Sequence, residues 1–397
     1  MKRPRGSEVS FLRESLNMRS MIISIYLFIF RIVYQLFCFL PIQEKTLFWM
    51  SYGENAMPIH LRLNQRNNQQ KQVLIFDERY MRATDCWNVS RKIAYHPMRL
   101  ITISYHLATS RHVFLDNYIG EFSVSSTRKN TRRIQLWHAA GTLKQFGLTS
   151  SKTRSMSTST QKRFRRVYQE YGDFIVPGMR CAEQFMMPHD LERSHFKAFG
   201  MPRTDYWFDE EQRKQKTVEL RKQYAKTDRR ILLYAPTYRE YKETEDHTIQ
   251  QFEKLAQAGW TILVKLHPTI QALSTYRSSH IHLVDDTYSI NDYLLITDVL
   301  VTDYSSIPFE SCLLNIPAFL YTPDIDTYRQ LPGLVDQYPK PLPVRQTERM
   351  EQLMDWIMSE TILEECRQHM EEFQTSWYDH PPGQAVERIV DHYYGDI

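Results

Sequence analysis

The sequence predicts an α/β protein of two doubly wound domains behind an amphipathic N-terminal helix. Three observations carry this. Past Pro41 short apolar runs alternate with helical patterns, as strands covered on both faces do. The 397 residues leave room for two to three units at roughly 150 residues each, every one able to bury a core. A charged stretch, Asp209 to Arg230, divides the apolar runs into two sets. Composition agrees: 42% apolar and 24% charged residues exclude a disordered, collagen-like or polytopic membrane chain. The net charge of +4 is too thin over this length to argue for nucleic acid. Five scattered cysteines (Cys38, Cys86, Cys181, Cys312, Cys366) without a CxxC pair indicate neither a disulfide framework nor a zinc site, and read as a reducing cytosol.

In chain order, residues 1–40 come first. Met21 to Leu40 is almost entirely apolar and long enough, at ~1.5 Å per residue, to cross ~30 Å of hydrocarbon. At a helical advance per residue, however, Arg13, Asn17, Ser20, Ser24, Arg31 and Gln35 fall within about 60° of one another. Such a stripe suits a helix lying in a membrane surface, with burial against the body and a true span as the alternatives. The basic residues Lys2, Arg3, Arg5, Arg13 and Arg19 would make a span carry the rest of the chain outward. Phe39-Leu40-Pro41 offers no small-residue cleavage site, and Phe37 is too large before Cys38 for a lipoprotein-type site.

Strands are expected in a first domain, 41–208, at Val73 to Phe76, Leu100 to Ile103, Val113 to Leu115, Ile134 to Trp137 and Phe174 to Val176. Residues 209–230 form a linker or crossover helix. The second domain, 231–375, is expected to place strands at Ile231 to Tyr234, Thr261 to Leu266, His282 to Val284, Val299 to Thr302 and Ala318 to Tyr321. Between them, Ile249, Phe252, Leu255 and Ala256 share a helix face that Gly259 ends, and Ser289 with Asp292 forms a capping-box start.

Open α/β sheets bind ligands beyond the carboxyl ends of their strands. Four such places carry polar residues: His138 to Lys144, Ala235 to Arg239 with Thr237 between, His267-Pro268, and Asp303-Tyr304-Ser305-Ser306. Ser305 and Ser306 would open a helix through Pro308, Phe309, Glu310 and Leu313, where free N–H groups and hydroxyls suit a pyrophosphate, although simple N-capping uses the same residues. Neither GxGxxG nor GxxxxGK[ST] occurs. An imidazole titrates near neutrality, so His138 could take a proton from an attacking hydroxyl while His267 donates to a phosphate. Either alone is more often structural, and two at strand ends of separate domains favour a catalytic pair. The pairs His106/His112 and His189/His195 lack zinc-motif context and read as core or surface. Lys144 and Arg239 suit phosphate contacts or simple solvation. Nothing calls for a metal or cofactor.

WHAAGTLKQFG (137–147), FIVPG (174–178), AFGMPRTD (198–205), YAPTYR (234–239), KLHP (265–268) and INDYLLITDVLVTDYSSIPFE (290–310) together resemble the CDP-glycerol glycerophosphotransferases of teichoic acid synthesis. The resemblance runs from about Pro41 to the end. It implies a GT-B-like fold, two Rossmann-like doubly wound domains facing a cleft, with CDP-glycerol held by the second domain and a lipid-linked saccharide acceptor entering from the membrane-facing first. It implies catalytic roles for His138 and His267, a pyrophosphate at Tyr304, Ser305 and Ser306 with Asp303, Thr237, Arg239 and Lys144 nearby, Glu310 at the ribose, Arg329 at the substrate, and a peripheral location on the cytoplasmic face of the cell membrane. Residues 376–397 look like a last helix crossing back to the first domain. Ala-Ala-Gly after His138 resembles the short primase-type members more than the polymerases. Between Asp326 and Pro343 the usual segment gives way to Gln330-Leu331-Pro332-Gly333-Leu334. Chain extension with glycerol or ribitol phosphate, a sugar-nucleotide GT-B glycosyltransferase or epimerase, and a membrane-bound binding protein without turnover are the rival readings.

Overall fold

The protein is described from a computed structural model covering residues 6–66, 70–79, 84–224, 229–239, 245–266, 278–330, 333–340 and 342–395, with residues 6–17 and 19 as backbone only. Two parallel sheets dominate. The first contains β1 (Gln43–Met50), β2 (Lys71–Phe76), β3 (Arg91–Ala94), β4 (Ser110–Leu115), β5 (Arg132–Gln135), β6 (Asp173–Ile175) and β7 (Phe196–Lys197) in the order β3-β2-β1-β4-β5-β6-β7. The second contains β8 (Arg230–Tyr234), β9 (Trp260–Val264), β10 (Ile281–Leu283), β11 (Val299–Thr302), β12 (Ala318–Tyr321) and β13 (Arg345–Thr347) in the order β10-β9-β8-β11-β12-β13. Each order reverses direction once, between β1 and β4 and between β8 and β11, which opens a crevice at those carboxyl ends. Pairing of Trp49 with Leu115, and of Tyr234 with Val301, brings the neighbouring strand ends level.

Side chains that alternate along a strand serve two cores. Leu47 and Trp49 pack on one face of β1, while Phe48 and Met50 join Phe114 and Ile134 on the other. That second core is completed by Ile389 and Val390 from the last helix, labelled below.

Seven helices bear on the site or its attachment: α1 (Gly6–Phe37), α2 (Ala56–Gln65), α3 (Leu100–Thr109), α4 (Thr158–Gln169), α5 (Met179–His189), α6 (Glu210–Tyr224), which runs between the sheets, and α7 (Pro308–Ser311). Three more close the chain: α8 (Ile325–Gln330), α9 (Glu360–Trp377) and α10 (Ala385–Tyr394). The last returns to the first sheet. Glu387 pairs with Arg62 at 2.6 Å, Tyr393 donates to Asp173 at 2.9 Å, and Asp205 accepts the N–H groups of Ala385 and Val386 at the helix start.

Several expected elements differ. Leu100 to Ile103 begins α3 rather than a strand: the run continues at helical spacing, burying Ile103 and Leu107, and a four-residue apolar run cannot distinguish the two. The helix expected through Ile249 to Ala256 breaks at Phe252 into Asp246–Gln251 and Glu253–Gln257. β1, β3, β7 and β13 were not anticipated, because β1 and β3 begin with polar and charged residues and β7 and β13 are only two and three residues long. The Ser289–Asp292 capping box is present.

The first helix has three faces. Leu27, Phe30 and Tyr34 are buried against the first domain, where Tyr34 donates to the Ser126 carbonyl at 2.7 Å and Tyr26 to Glu121 at 2.8 Å. Met21, Ile22, Ile25, Phe28, Ile29, Ile32 and Leu36 face outward, followed by Phe39 at 88% exposure. Ser20, Ser24, Arg31 and Gln35 lie between these faces and are exposed. The segment Ser20–Phe37 is long and apolar enough to cross a membrane by length and composition, with a mean hydropathy of 1.8.

Candidate active site

The switch point of the first sheet is organised by a buried carboxylate. Asp116, directly after β4, accepts the N–H groups of Ser51, Tyr52 and Gly53 after β1, at 2.7, 2.9 and 2.7 Å. Burial pushes its pKa up, against these three bonds. Its backbone carbonyl then receives Nδ1 of His138, after β5, at 2.9 Å. A carbonyl only accepts, so Nδ1 carries the proton and Nε2 is left as the basic nitrogen. Between strand and histidine, Trp137 adopts φ +51°, a left-handed conformation costly for a bulky residue. It is held by Gln135 at its N–H (2.9 Å) and Asn55 at its carbonyl (3.0 Å). The imidazole stacks on Trp137 at 4.5 Å and meets Tyr52 at 4.9 Å. Burial lowers its pKa to about 4, opposed by the Asp116 bond and aided by Arg203.

The second sheet repeats the device. Asp303, directly after β11, accepts the Thr237 N–H after β8 at 2.9 Å and that of Tyr304 at 2.5 Å, and pairs with Arg239 at 2.7 Å. Arg239 also meets Asp324 at 2.5 Å. Burial works against its charge, but Asp303 and Asp324 outweigh it and hold the guanidinium above its ordinary range. The Tyr304 ring is buried, stacks on Tyr328 at 3.7 Å and donates to Asp324 at 3.0 Å.

The two switch points meet around one cavity of about 260 Å³, lined by His138, Gly141 to Lys144, Phe146 and Phe185 from the first domain and by Tyr304 and Ser306 from the second. Burial lowers Lys144 to about 8, with Asp303 opposing and Arg239 adding. Its backbone forms an antiparallel bridge with Leu334, flanked by Gln145 N–H to Gly333 O and Val335 N–H to Leu143 O, both at 3.1 Å. Gly333 to Val335 thus pack against the backbone of the cavity-lining Leu143 and Lys144. Close approach continues at Gly141, where a Cβ would lie 2.5 Å from the Phe309 ring. Ala140 next to it accepts the Trp377 indole N–H at 2.8 Å.

Of the residues singled out from sequence, His138, Lys144, Tyr304 and Ser306 line this cavity. Thr237, Arg239 and Asp303 form the network behind it, where the Thr237 hydroxyl is buried with no hydrogen-bond partner among the described residues. Glu310 is buried beside the first domain, where Arg203 engages both carboxylate oxygens, at 2.5 and 3.0 Å, and Asn291 donates at 3.0 Å. The helix expected to open at Ser305 and Ser306 is the single turn α7, capped by Ile307 with Pro308 starting it. Ser305 instead accepts the Ile307 N–H at 3.3 Å, so an anion here would rely on the serine turn rather than a long helix dipole. Arg329 is exposed at the end of α8. His267 and Pro268 lie outside the described residues; β9, which ends at Val264 three positions before His267, pairs with β8. Asp116 and Arg203 were missed, although Asp116 stands at a strand end and Arg203 within the quoted PRTD segment. Among the described residues no group of three or more His, Cys, Asp or Glu is arranged to hold a metal ion.

Comparison with known proteins follows the same line. The chain is 30% identical over 356 residues to the teichoic acid glycerol-phosphate primase of Bacillus subtilis (strain 168), covering 87% of this chain and 91% of that one. It is 28% identical over 361 residues to the teichoic acid ribitol-phosphate primase of Bacillus spizizenii (strain ATCC 23059 / NRRL B-14472 / W23), covering 89% and 91%. A solved structure of the wall teichoic acid polymerase TagF superposes with a TM-score of 0.77 at 19% identity over 98% of both chains, which establishes a GT-B-like fold. The model of the CDP-Glycerol:Poly(glycerophosphate) glycerophosphotransferase family matches residues 32–394. A basic nitrogen and a hydroxylated turn facing each other across one interdomain cavity are therefore found in a chain that belongs to the CDP-glycerol:poly(glycerophosphate) glycerophosphotransferase family.

Proposed function

We propose that this transferase moves glycerol phosphate from CDP-glycerol to a hydroxyl of a lipid-linked disaccharide, releasing CMP, as a primase-type enzyme of teichoic acid synthesis on the cytoplasmic side of the membrane. The acceptor oxygen forms a bond to the phosphorus nearest glycerol while the bond from that phosphorus to the CMP oxygen breaks. The acceptor proton passes to Nε2 of His138, the nitrogen left basic by the Asp116 carbonyl. Lys144 and Ser306 hold donor phosphate oxygens across the cavity, so positioning and electrostatics carry the step. His267 is assigned the donor to the leaving phosphate from its place after β9 in the sequence. The exposed apolar face of α1 lies in the plane of the membrane and keeps the enzyme beside its acceptor.

The observation that carries the reading is the Asp116–His138 bond beside a cavity contributed by both domains. The test is CMP release with CDP-glycerol, CDP-ribitol and UDP-sugars as donors. CDP-glycerol should give the fastest turnover, and His138→Ala should lower it roughly 10²- to 10⁴-fold. Unchanged CMP release from His138→Ala would remove the mechanism.

A further inference from the structure

Outside the interdomain cavity, a second concave feature lies between the polar stripe of α1, the 3₁₀ turn Gly120–Val124 and the helix α4. It consists of two adjoining hollows, of about 520 and 340 Å³, that share Arg31, Ser123, Val124 and Arg166. Lys162 and Arg163 add further cations, and Ser20, Ser24 and Ser159 add hydroxyls. The carboxylate in the groove, Glu170, is already engaged by Arg133 at 3.0 Å and by Thr127 at 2.7 Å. Arg31, Lys162 and Arg166 are exposed and form no ion pair with a described residue, whereas Arg165 on the same helix is paired with Asp190 at 2.7 Å.

Position gives this groove its meaning. On α1 the stripe Ser20, Ser24, Arg31 and Gln35 lies between the face docked on the first domain and the exposed apolar face of Ile25, Phe28, Ile32 and Leu36. When the apolar face rests in hydrocarbon, the stripe and the cations of α4 fall at headgroup depth, where unpaired Lys and Arg meet lipid phosphates. We propose that the groove between α1 and α4 is a binding site for the phosphate of an anionic bilayer phospholipid, with Arg31 and Arg166 as its central contacts. This rests on the reading that α1 lies in the membrane plane and goes beyond it. The apolar face supplies depth, and the groove supplies charge selectivity and fixes rotation about the helix axis.

Sedimentation of the full chain with vesicles tests this, using pure phosphatidylcholine, the same lipid with one quarter phosphatidylglycerol, and phosphatidylcholine doped with a long isoprenyl diphosphate. Wild type should partition best onto the phosphatidylglycerol vesicles. The pair Arg31→Gln/Arg166→Gln should lose about 10- to 30-fold there, with little change on pure phosphatidylcholine, while Arg165→Gln behaves as wild type. Circular dichroism matched to wild type keeps the comparison free of misfolding. Equal binding of the groove variant and wild type to phosphatidylglycerol overturns the proposal, as does an equal loss in Arg165→Gln. Recruitment by the isoprenyl diphosphate alone also overturns it, assigning the groove to an acceptor-like lipid. If wild type binds none of the vesicles, or Ile25→Gln/Phe28→Gln binds all of them undiminished, the in-plane reading of α1 fails instead.

Discussion

His138 and Lys144 face one cavity with pKa values displaced in the same direction by the same cause, burial, and with opposite consequences for charge. His138, brought to about 4, is in its neutral, proton-accepting form at any pH well above that value. Lys144, brought to about 8, is a cation below that value and loses its charge above it. The free enzyme should therefore show kcat/KM level from about pH 5 to pH 7.5 and falling as pH rises through about 8. A bound diphosphate favours the ammonium, so the alkaline limb of kcat should lie at higher pH than that of kcat/KM. Lys144→Arg should move the limb beyond the accessible range while keeping activity, and a limb near pH 8 that survives this change would exclude Lys144 as the titrating group. His138 also makes stability pH-dependent: between 6.5 and about 4 the unfolded chain binds a proton that the folded chain refuses, so stability falls as pH falls through that window. His138 was legible in the sequence because it follows an apolar run. Its partner was not, since nothing in the order of residues reveals that the Asp116 carbonyl lies beneath Nδ1. Glu310 was legible as a carboxylate past the serine turn, but its pairing with Arg203 was not, because that contact exists only once the domains meet.

The loop after β5 and the turn α7 form a single contact, and its tightness explains the small residues Ala139-Ala140-Gly141. Ala140 accepts Trp377, Phe309 packs on Trp377 at 4.9 Å, and Gly141 leaves room for the Phe309 ring. A methyl group at residue 141 would sit 2.5 Å from that ring, so Gly141→Ala should cost about 1–3 kcal/mol and displace Ser306, three residues before Phe309. Thermal unfolding and KM for CDP-glycerol should both worsen in the single variant. Gly141→Ala combined with Phe309→Leu should regain part of both, as contacting residues do in a double-mutant cycle. Simple additivity would show that the contact does not set the site. At this scale strands on uniform apolar runs, such as Val299 to Thr302 and Ala318 to Tyr321, were readable from sequence. Elements whose exposure depends on their neighbours were not. In β1 the charged Lys45 is buried beside His106 and Thr109, and in α3 the run Leu100 to Ile103 takes its helical form while the helix packs against α1.

At the scale of the whole molecule an ion pair between described residues joins the domains beside His138. Arg203, from the PRTD segment of the first domain, grips Glu310 of α7 in the second, reaches Glu54 at 2.5 Å, and donates to the His138 backbone carbonyl at 3.0 Å. Side chains of Arg203 and Glu310 are 12% and 4% exposed, so removing one partner strands the other in the interface. Arg203→Ala should lower stability by about 3–5 kcal/mol, whereas Arg203→Met/Glu310→Met, which leaves no unpaired charge between them, should restore most of the loss. The bond to His138 separates a catalytic contribution from a structural one. The double variant regains packing but still lacks the donor that fixes the His138 backbone, so kcat should stay at least tenfold down while KM for CDP-glycerol moves little and Tm recovers. Recovery of kcat together with Tm would mean that Arg203 only fastens the domains, and that Asp116 and Trp137 suffice to aim the imidazole.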